Sequence, residues 1–391
     1  MKIAYFTDTY APEVNGVTNT LGKLSAYLER RGIRHKFFAP VYGSDADRVG
    51  LGMDTEMRDV HRFFGFKVAV SPKSRLAFPI PVRIFQLCDE FQPDVVHVTT
   101  EFGLGHAGVI YASMRKKPLI MSNHTDYLAY LDYYHLRPLE PVAELFFKVY
   151  YGYSHRTLAP SKYTMEQLRG KGYRNLGIWS RGIDTDGFSP GYRSGRARER
   201  LGIGDRFAFL FVGRISPEKG LHMLLDAIGK INEAHPGKAA FVFTGEGPYE
   251  NTIRRAGYDN VIMTGFKHGL ELSGIYASCD CFAQPSGTET FGNTCLEAMA
   301  SGLPVAGVAS GGVTDYLAHR ENALLCANGD KGGFAANLLE LMDDRALRLR
   351  LAEAGMKTAL SRDWNRVFDG LLDEYKAVIR DNTARAMARA S

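Results

Sequence analysis

Cysteine and tryptophan are scarce in this sequence, at five and two in 391 residues. Cys88, Cys279, Cys281, Cys295 and Cys326 are odd in number and scattered, which argues against a disulfide framework. Cys279 and Cys281 stand two apart, on one face if both lie in a strand. They lack the second pair or nearby histidines that a zinc site requires. Reduced, buried thiols are expected, and with them a cytoplasmic location. No stretch approaches the ~20 apolar residues that span a bilayer, and the N-terminal MKIAYFTDTY lacks the apolar core of a signal peptide. Charge of one sign is also in short supply. Forty-eight Lys and Arg against 43 Asp and Glu leave +5, too little to indicate nucleic acid. P-loop, H-E-x-x-H and G-x-S-x-G patterns are absent. No complete G-x-G-x-x-G follows a strand, which counts against a dinucleotide-dependent oxidoreductase.

What is present is an ordinary globular composition, 45% hydrophobic and 23% charged, long enough for two domains. Short apolar runs alternate with helical patterns. In the first half, KIAYFT, HKFFAP, DVVHVT, PLIMSN and RTLAPS read as buried parallel strands. WSRGIDTDGFSPG near 178–190 breaks the pattern and marks a linker. The alternation then resumes with FAFLFVG, AAFVFTG, NVIMTG, DCFAQPS and LPVAGVAS. A last helix is expected from about Trp364. Two doubly wound α/β domains follow, with ligands expected beyond the carboxyl ends of their strands.

The segments that carry chemistry lie just after those strands. QPSGTETFGNTCLEAMASGLPV passes from a strand through a Gly/Thr/Ser loop into a helix expected near Phe291. The backbone N–H groups of Gly292, Asn293 and Thr294 at such a helix start can bind a phosphate. Glu289 in the loop and Glu297 in the helix are placed to hold hydroxyls at two ends of a diphosphate. In FVGRISPEKG, Arg214 and Lys219 are spaced to neutralise a diphosphate leaving group. TDTYAPEVNGV carries Asn15-Gly16, a turn that permits close backbone approach. SNHTDYLAYLDYY places His124 at a strand's carboxyl end, with Tyr127 and Tyr130 following. The Asp45–Asp47 and Asp184–Asp186 D-x-D patterns are common in loops, and neither is read as a metal site.

In this order, the segments resemble glycosyltransferase family four, with the two-domain GT-B fold, over nearly the whole chain. The resemblance implies an α/β architecture of two Rossmann-like domains facing a deep cleft. Residues 1–180 would bind the acceptor, joined by a C-terminal helix of about 364–391 that crosses back. Residues 181–363 would bind the donor. It implies retaining transfer of a hexose-type sugar from a nucleotide diphosphate-sugar, without metal or other cofactor. Arg214 and Lys219 match the family's diphosphate-binding pair, and Glu289 the carboxylate on the donor sugar. Glu297 matches the carboxylate on the ribose, and Phe291, Gly292, Asn293 and Thr294 the backbone-amide segment. Gly16 matches the glycine of the first loop, and His124 the histidine near the donor sugar. Gly245, Phe266 and Lys267 fall in segments that lie near the donor nucleotide. Asn15, His124, Tyr127 and Tyr130 are acceptor-side candidates. UDP is favoured as the family's commoner donor nucleotide, with GDP left open.

Residues 1–180 hold 23 Lys and Arg against 17 Asp and Glu, and residues 181–391 hold 25 against 26. The positive excess belongs to the half expected to meet the acceptor. HRFFGFKVAVSPKSRLAFP at 61–79 interleaves aromatic and basic residues. It reads equally as a contact for an anionic membrane or lipid-linked acceptor and as a strand with a basic loop. A nucleotide-sugar epimerase and a non-catalytic nucleotide-sugar-binding protein are the competing readings.

Overall fold

The computed structural model describes residues 1–13, 15–42, 54–57, 59–68, 71–77, 81–124 and 137–390. They form two compact units, one of Met1–Leu128, Pro138–Ser180 and Asn365–Ser391, the other centred on Arg181–Trp364.

The first unit runs β1 (Lys2–Phe6), α1 (Gly16–Arg30), β2 (Arg34–Pro40), β3 (Asp54–Met57), β4 (Val60–Phe63), β5 (Gly65–Val68), β6 (Ser71–Ala77), α2 (Pro81–Phe91), β7 (Val95–Val98) and α3 (Gly103–Met114). It continues with β8 (Leu119–Ser122), α4 (Glu140–Gly152), β9 (Arg156–Ala159), α5 (Lys162–Gly170) and β10 (Leu176–Ile178). Eight strands pair in the order β10-β9-β8-β7-β1-β2-β4-β3. All neighbours are parallel except β3 with β4. The central strands β1 and β7 are buried almost throughout because both faces are covered, and apolar but for Lys2 at the start of β1 and His97 in β7. The segment 61–79 is not a strand and a basic loop. Its described residues complete β4 and then form β5 and β6, an antiparallel pair.

The second unit runs α6 (Gly195–Arg200), β11 (Phe207–Val212), α7 (Leu221–Ala234), β12 (Ala239–Thr244), α8 (Glu250–Arg255), β13 (Val261–Gly265), α9 (Gly269–Ser278) and β14 (Cys281–Gln284). Next come α10 (Asn293–Ala300), β15 (Val305–Val308), β16 (Leu324–Cys326), α11 (Lys331–Asp343) and α12 (Arg345–Leu360). Its six strands are all parallel, in the order β13-β12-β11-β14-β15-β16. Alternation along β11 and β12 divides the core. Phe209, Phe211, Phe241 and Phe243 pack on one face, and Ala208, Leu210, Ala240 and Val242 on the other. Each buried Phe stabilises the unit by roughly 1.5–3 kcal/mol. The five cysteines are free and buried. Cys279 caps α9 while Cys281 opens β14. They do not share a strand face, and they join opposite core layers.

The last helix, α13 (Trp364–Ala390), returns to the first unit. Phe368, Leu371, Leu372, Tyr375 and Val378 are buried at helical spacing. Asp369 accepts hydrogen bonds from Tyr27 Oη and Arg31 of α1.

Candidate active site

In a parallel sheet the loops after adjacent strands gather at one edge. In the second unit, β11, β14 and β15 are neighbours, so loops distant in sequence converge. The loop after β11 ends in Lys219, whose Nζ lies 2.7 Å from Glu289 Oε1 in the loop after β14. Both side chains are largely buried. Thr288 Oγ1 also donates to the Glu218 carbonyl at 3.1 Å, tying the same two loops together. Arg214 is half exposed and lies 3.2 Å from the buried Glu218 carboxylate, which also accepts from Ser216 Oγ at 2.6 Å. Burial raises the pKa of the Glu289 carboxyl, but the Lys219 charge and neighbouring donors outweigh it, and the net shift is downward. Glu289 is therefore an ionised acceptor held against a cation.

The loop after β15 fixes this segment from behind. The Gly312 N–H donates to the Glu289 carbonyl at 2.6 Å. A Cβ at Gly312 would lie 2.0 Å from the Thr290 carbonyl oxygen, so no larger residue fits without moving the Glu289 loop. The helix expected near Phe291 starts at Asn293, with Gly292 as its N-cap at φ 87°. That left-handed turn suits glycine, and it moves the first helical donors to Asn293 and Thr294. The Phe291 ring is buried against Tyr316, and Tyr316 Oη donates to the Gly292 carbonyl at 2.6 Å. Asn293 Oδ1 is buried without a hydrogen-bond partner among the described residues. Glu297, one turn into α10, accepts from Tyr276 Oη of α9 at 2.8 Å. Burial and the Glu297 charge push the Tyr276 phenol far up, so it remains a donor. Tyr276 has no local signal in sequence; its partner is 21 residues away.

The remaining donor-side candidates follow β12 and β13. The Gly245 N–H donates to the Gly265 carbonyl at 2.9 Å. Phe266 is exposed beside His268. Lys267 Nζ turns to Glu271 Oε1 at 2.7 Å. Asp184 closes a turn by accepting from the Gly187 N–H at 3.0 Å.

In the first unit, Asn15 is the N-cap of α1 and Gly16 its first residue. Asn15 Oδ1 accepts from the Val17 and Thr18 N–H groups at 2.9 Å, and its Nδ2 donates to Thr9 Oγ1 at 2.8 Å. Its side chain is thus engaged in shaping the loop that presents Gly16. His124 lies two residues past β8, its ring 5.2 Å from that of Trp179. Tyr127, Tyr130 and the Asp45–Asp47 pattern lie outside the described residues. Two polar clusters beneath these loops escape sequence reading. Asp8 accepts from Thr100 Oγ1 at 2.8 Å and from the Leu104 N–H at 2.9 Å. His97 is fully buried, with Nδ1 2.6 Å from Tyr375 Oη and Nε2 2.6 Å from Ser122 Oγ. Tyr375 Oη in turn meets Tyr5 Oη at 3.0 Å. Among the described residues, Glu29, His35 and Asp59 have the mutual spacing of metal ligands. Both His35 ring nitrogens are already engaged, by Ser25 Oγ at 2.9 Å and the Ile33 carbonyl at 3.1 Å.

The geometry thus joins Lys219, Glu289, Arg214 and the head of α10 on one unit. It places Gly16 and His124 beyond the strands of the other. The known proteins that this chain resembles point the same way. Residues 14–187 match the family described as Glycosyltransferase Family 4 and residues 194–358 that described as Glycosyl transferases group 1. A GDP-mannose-dependent alpha-mannosyltransferase of Mycobacterium tuberculosis is 30% identical over 99% of each chain. An alpha-monoglucosyldiacylglycerol synthase of Streptococcus pneumoniae is 30% identical over 78% of this chain and 70% of its own. In fold, the Anabaena HepE protein, solved with UDP and glucose, aligns with a TM-score of 0.75 over 96% of this chain and all of that one, at 20% identity. These relatives give no support to the epimerase or binding-only readings. Fold, converging loops and full-length relatives agree: this chain is a glycosyltransferase, a member of glycosyltransferase family 4 with the GT-B fold.

Proposed function

We propose that the enzyme transfers mannose from GDP-mannose, with retention and without a divalent metal, to a hydroxyl of a lipid or lipid-linked acceptor. The observation that carries this reading is the Lys219–Glu289 contact at 2.7 Å beside the head of α10. As the anomeric bond breaks, negative charge grows on the departing diphosphate. Lys219, Arg214 and the N–H groups of Asn293 and Thr294 are the groups to meet it. Such fixed donors stabilise the transition state more than the ground state. Glu289 would accept from sugar hydroxyls, and Glu297, oriented by Tyr276, from the ribose. The leaving phosphate would take the acceptor's proton as attack occurs on the same face. Residues 1–180 with α13 would hold the acceptor, with Gly16 near the diphosphate and His124 near the sugar. GDP-mannose is placed ahead of UDP-sugars because the relative matched over 99% of both chains is named for that donor. The lipid acceptor follows from the diacylglycerol-directed relative.

Thermal shift with GDP, UDP and ADP tests the base. Ligand at a hundred times its Kd stabilises the folded state by about 2.7 kcal/mol, and GDP should give the largest shift. Release of GDP from GDP-mannose should then depend on added lipid acceptor. Stabilisation by UDP alone would overturn the donor assignment. An epimer formed from the donor without acceptor would overturn transfer.

A further inference from the structure

Each cation in the turn after β11 faces its own carboxylate. Lys219 faces Glu289 at 2.7 Å, and Glu289 has a part in holding the donor sugar. Arg214 faces Glu218 at 3.2 Å, and the transfer proposed above makes no use of Glu218. The two members of this second pair differ sharply in exposure: the Glu218 side chain is 4% exposed and that of Arg214 is 55% exposed. An anion has been taken out of water to meet a cation that stays largely in it. Burying a carboxylate is costly unless it is paired, and a pair with one exposed member returns little stability. Stability is therefore a weak reason for Glu218, and orientation is a stronger one.

The backbone of this turn is set by its neighbours. Ile215 is fully buried, its N–H donating to the Glu246 carbonyl and its carbonyl accepting from the Tyr249 N–H, both at 2.9 Å. Gly220 closes the turn at φ 66°, where a Cβ would lie 2.3 Å from the Pro285 carbonyl oxygen. The Glu218 carbonyl receives Thr288 Oγ1 at 3.1 Å. A fixed backbone does not by itself fix an arginine, whose side chain is long and rich in rotamers. The Glu218 carboxylate supplies that anchor. Its Oε1 is itself held by Ser216 Oγ at 2.6 Å, and Ser216 is buried. A guanidinium carries several N–H donors in a fixed fork, so one contact orients it without saturating it.

We propose that Glu218 is a positioning residue, acting through Arg214 by holding its guanidinium toward the diphosphate of the donor. This rests on the part assigned to Arg214 above, but on neither the base nor the acceptor. Charge alone predicts the reverse effect, since a negative group beside an anionic ligand should weaken its binding.

The free nucleoside diphosphate carries the charge that develops on the leaving group, so its binding reports on Arg214 with no acceptor present. Isothermal titration of the full chain compares GDP with GMP, and UDP with UMP. The ratio of the two dissociation constants measures the second phosphate, and partial loss of folded protein does not move it. Arg214→Ala should lower this preference for diphosphate by about tenfold or more. Glu218→Gln keeps the size and an acceptor for Ser216 but removes the charge, and should lower the preference by about fivefold. In the Arg214→Ala background Glu218→Gln should lower it no further. A preference that Glu218→Gln leaves unchanged or raises, while Arg214→Ala lowers it, would overturn the positioning role alone. So would an equal loss from Glu218→Gln with and without Arg214, which would mean that Glu218 only supports the turn. An unchanged preference in Arg214→Ala would overturn the part of Arg214 itself, and that of Glu218 with it.

Discussion

His97 offers the sharpest quantitative test of the structure. Burial moves its pKa from 6.5 down to about 3, so the folded protein keeps the ring neutral between Tyr375 and Ser122. The unfolded chain binds a proton near the ordinary value. A folded pKa below the unfolded one means that the stabilisation is whole above pH 6.5 and drains away as pH falls toward the folded value. One pH unit is worth about 1.4 kcal/mol, so His97 alone should cost about 2 kcal/mol at about pH 5. His97→Gln keeps a donor and an acceptor but does not titrate. Urea unfolding of the first unit can be followed through Trp179, whose ring lies 5.2 Å from His97. Placing Trp364→Phe in both proteins removes the only other tryptophan. Between about pH 7.5 and pH 5 the natural histidine should lose about 2 kcal/mol more than glutamine does. Other titrating groups are common to both proteins and cancel in the comparison. Equal losses in the two would mean that His97 is not held neutral in the fold, and the buried network would be refuted.

Two further outcomes follow from the donor-side geometry. Lys219→Ala should lower kcat by about 10²–10³ while circular dichroism stays native; with the lysine gone, burial dominates at Glu289 and its carboxyl pKa rises. Near-normal release of nucleoside diphosphate would remove Lys219 from the chemistry. Gly312→Ala should displace the Glu289 loop and raise KM for the donor at least tenfold, because its Cβ would meet the Thr290 carbonyl at 2.0 Å; an unchanged KM in saturation kinetics would show that this turn does not set the loop.

The strands were legible because parallel strands buried on both faces leave continuous apolar runs, as in FAFLFVG and AAFVFTG. Lys219 and Glu289 were legible because each follows such a run. Short elements were not: β16 is three residues long, too brief for periodicity, and β3 and β6 are polar. The start of α10 was misplaced because Gly292 adopts a left-handed cap, and its sequence does not say which glycine of a loop turns. Buried polar pairs leave no local trace. Asp8 and Thr100 are 92 residues apart, and His97 and Tyr375 are 278 apart. The exposure of Val142, Leu145 and Val149 on α4 was hidden for another reason: apolar spacing alone cannot tell a face against the core from one turned outward.

The path of α13 has a consequence for biosynthesis. The bulk of the second unit, Arg181–Trp364, is one continuous stretch and can close as soon as it is made. The first unit begins the chain yet waits for its end, since Tyr5 and His97 complete their contacts only when Tyr375 arrives. The domain that emerges first is the one that matures last. A stalled or truncated chain should therefore leave the Tyr5 and His97 side of the first unit open while the other half stands intact.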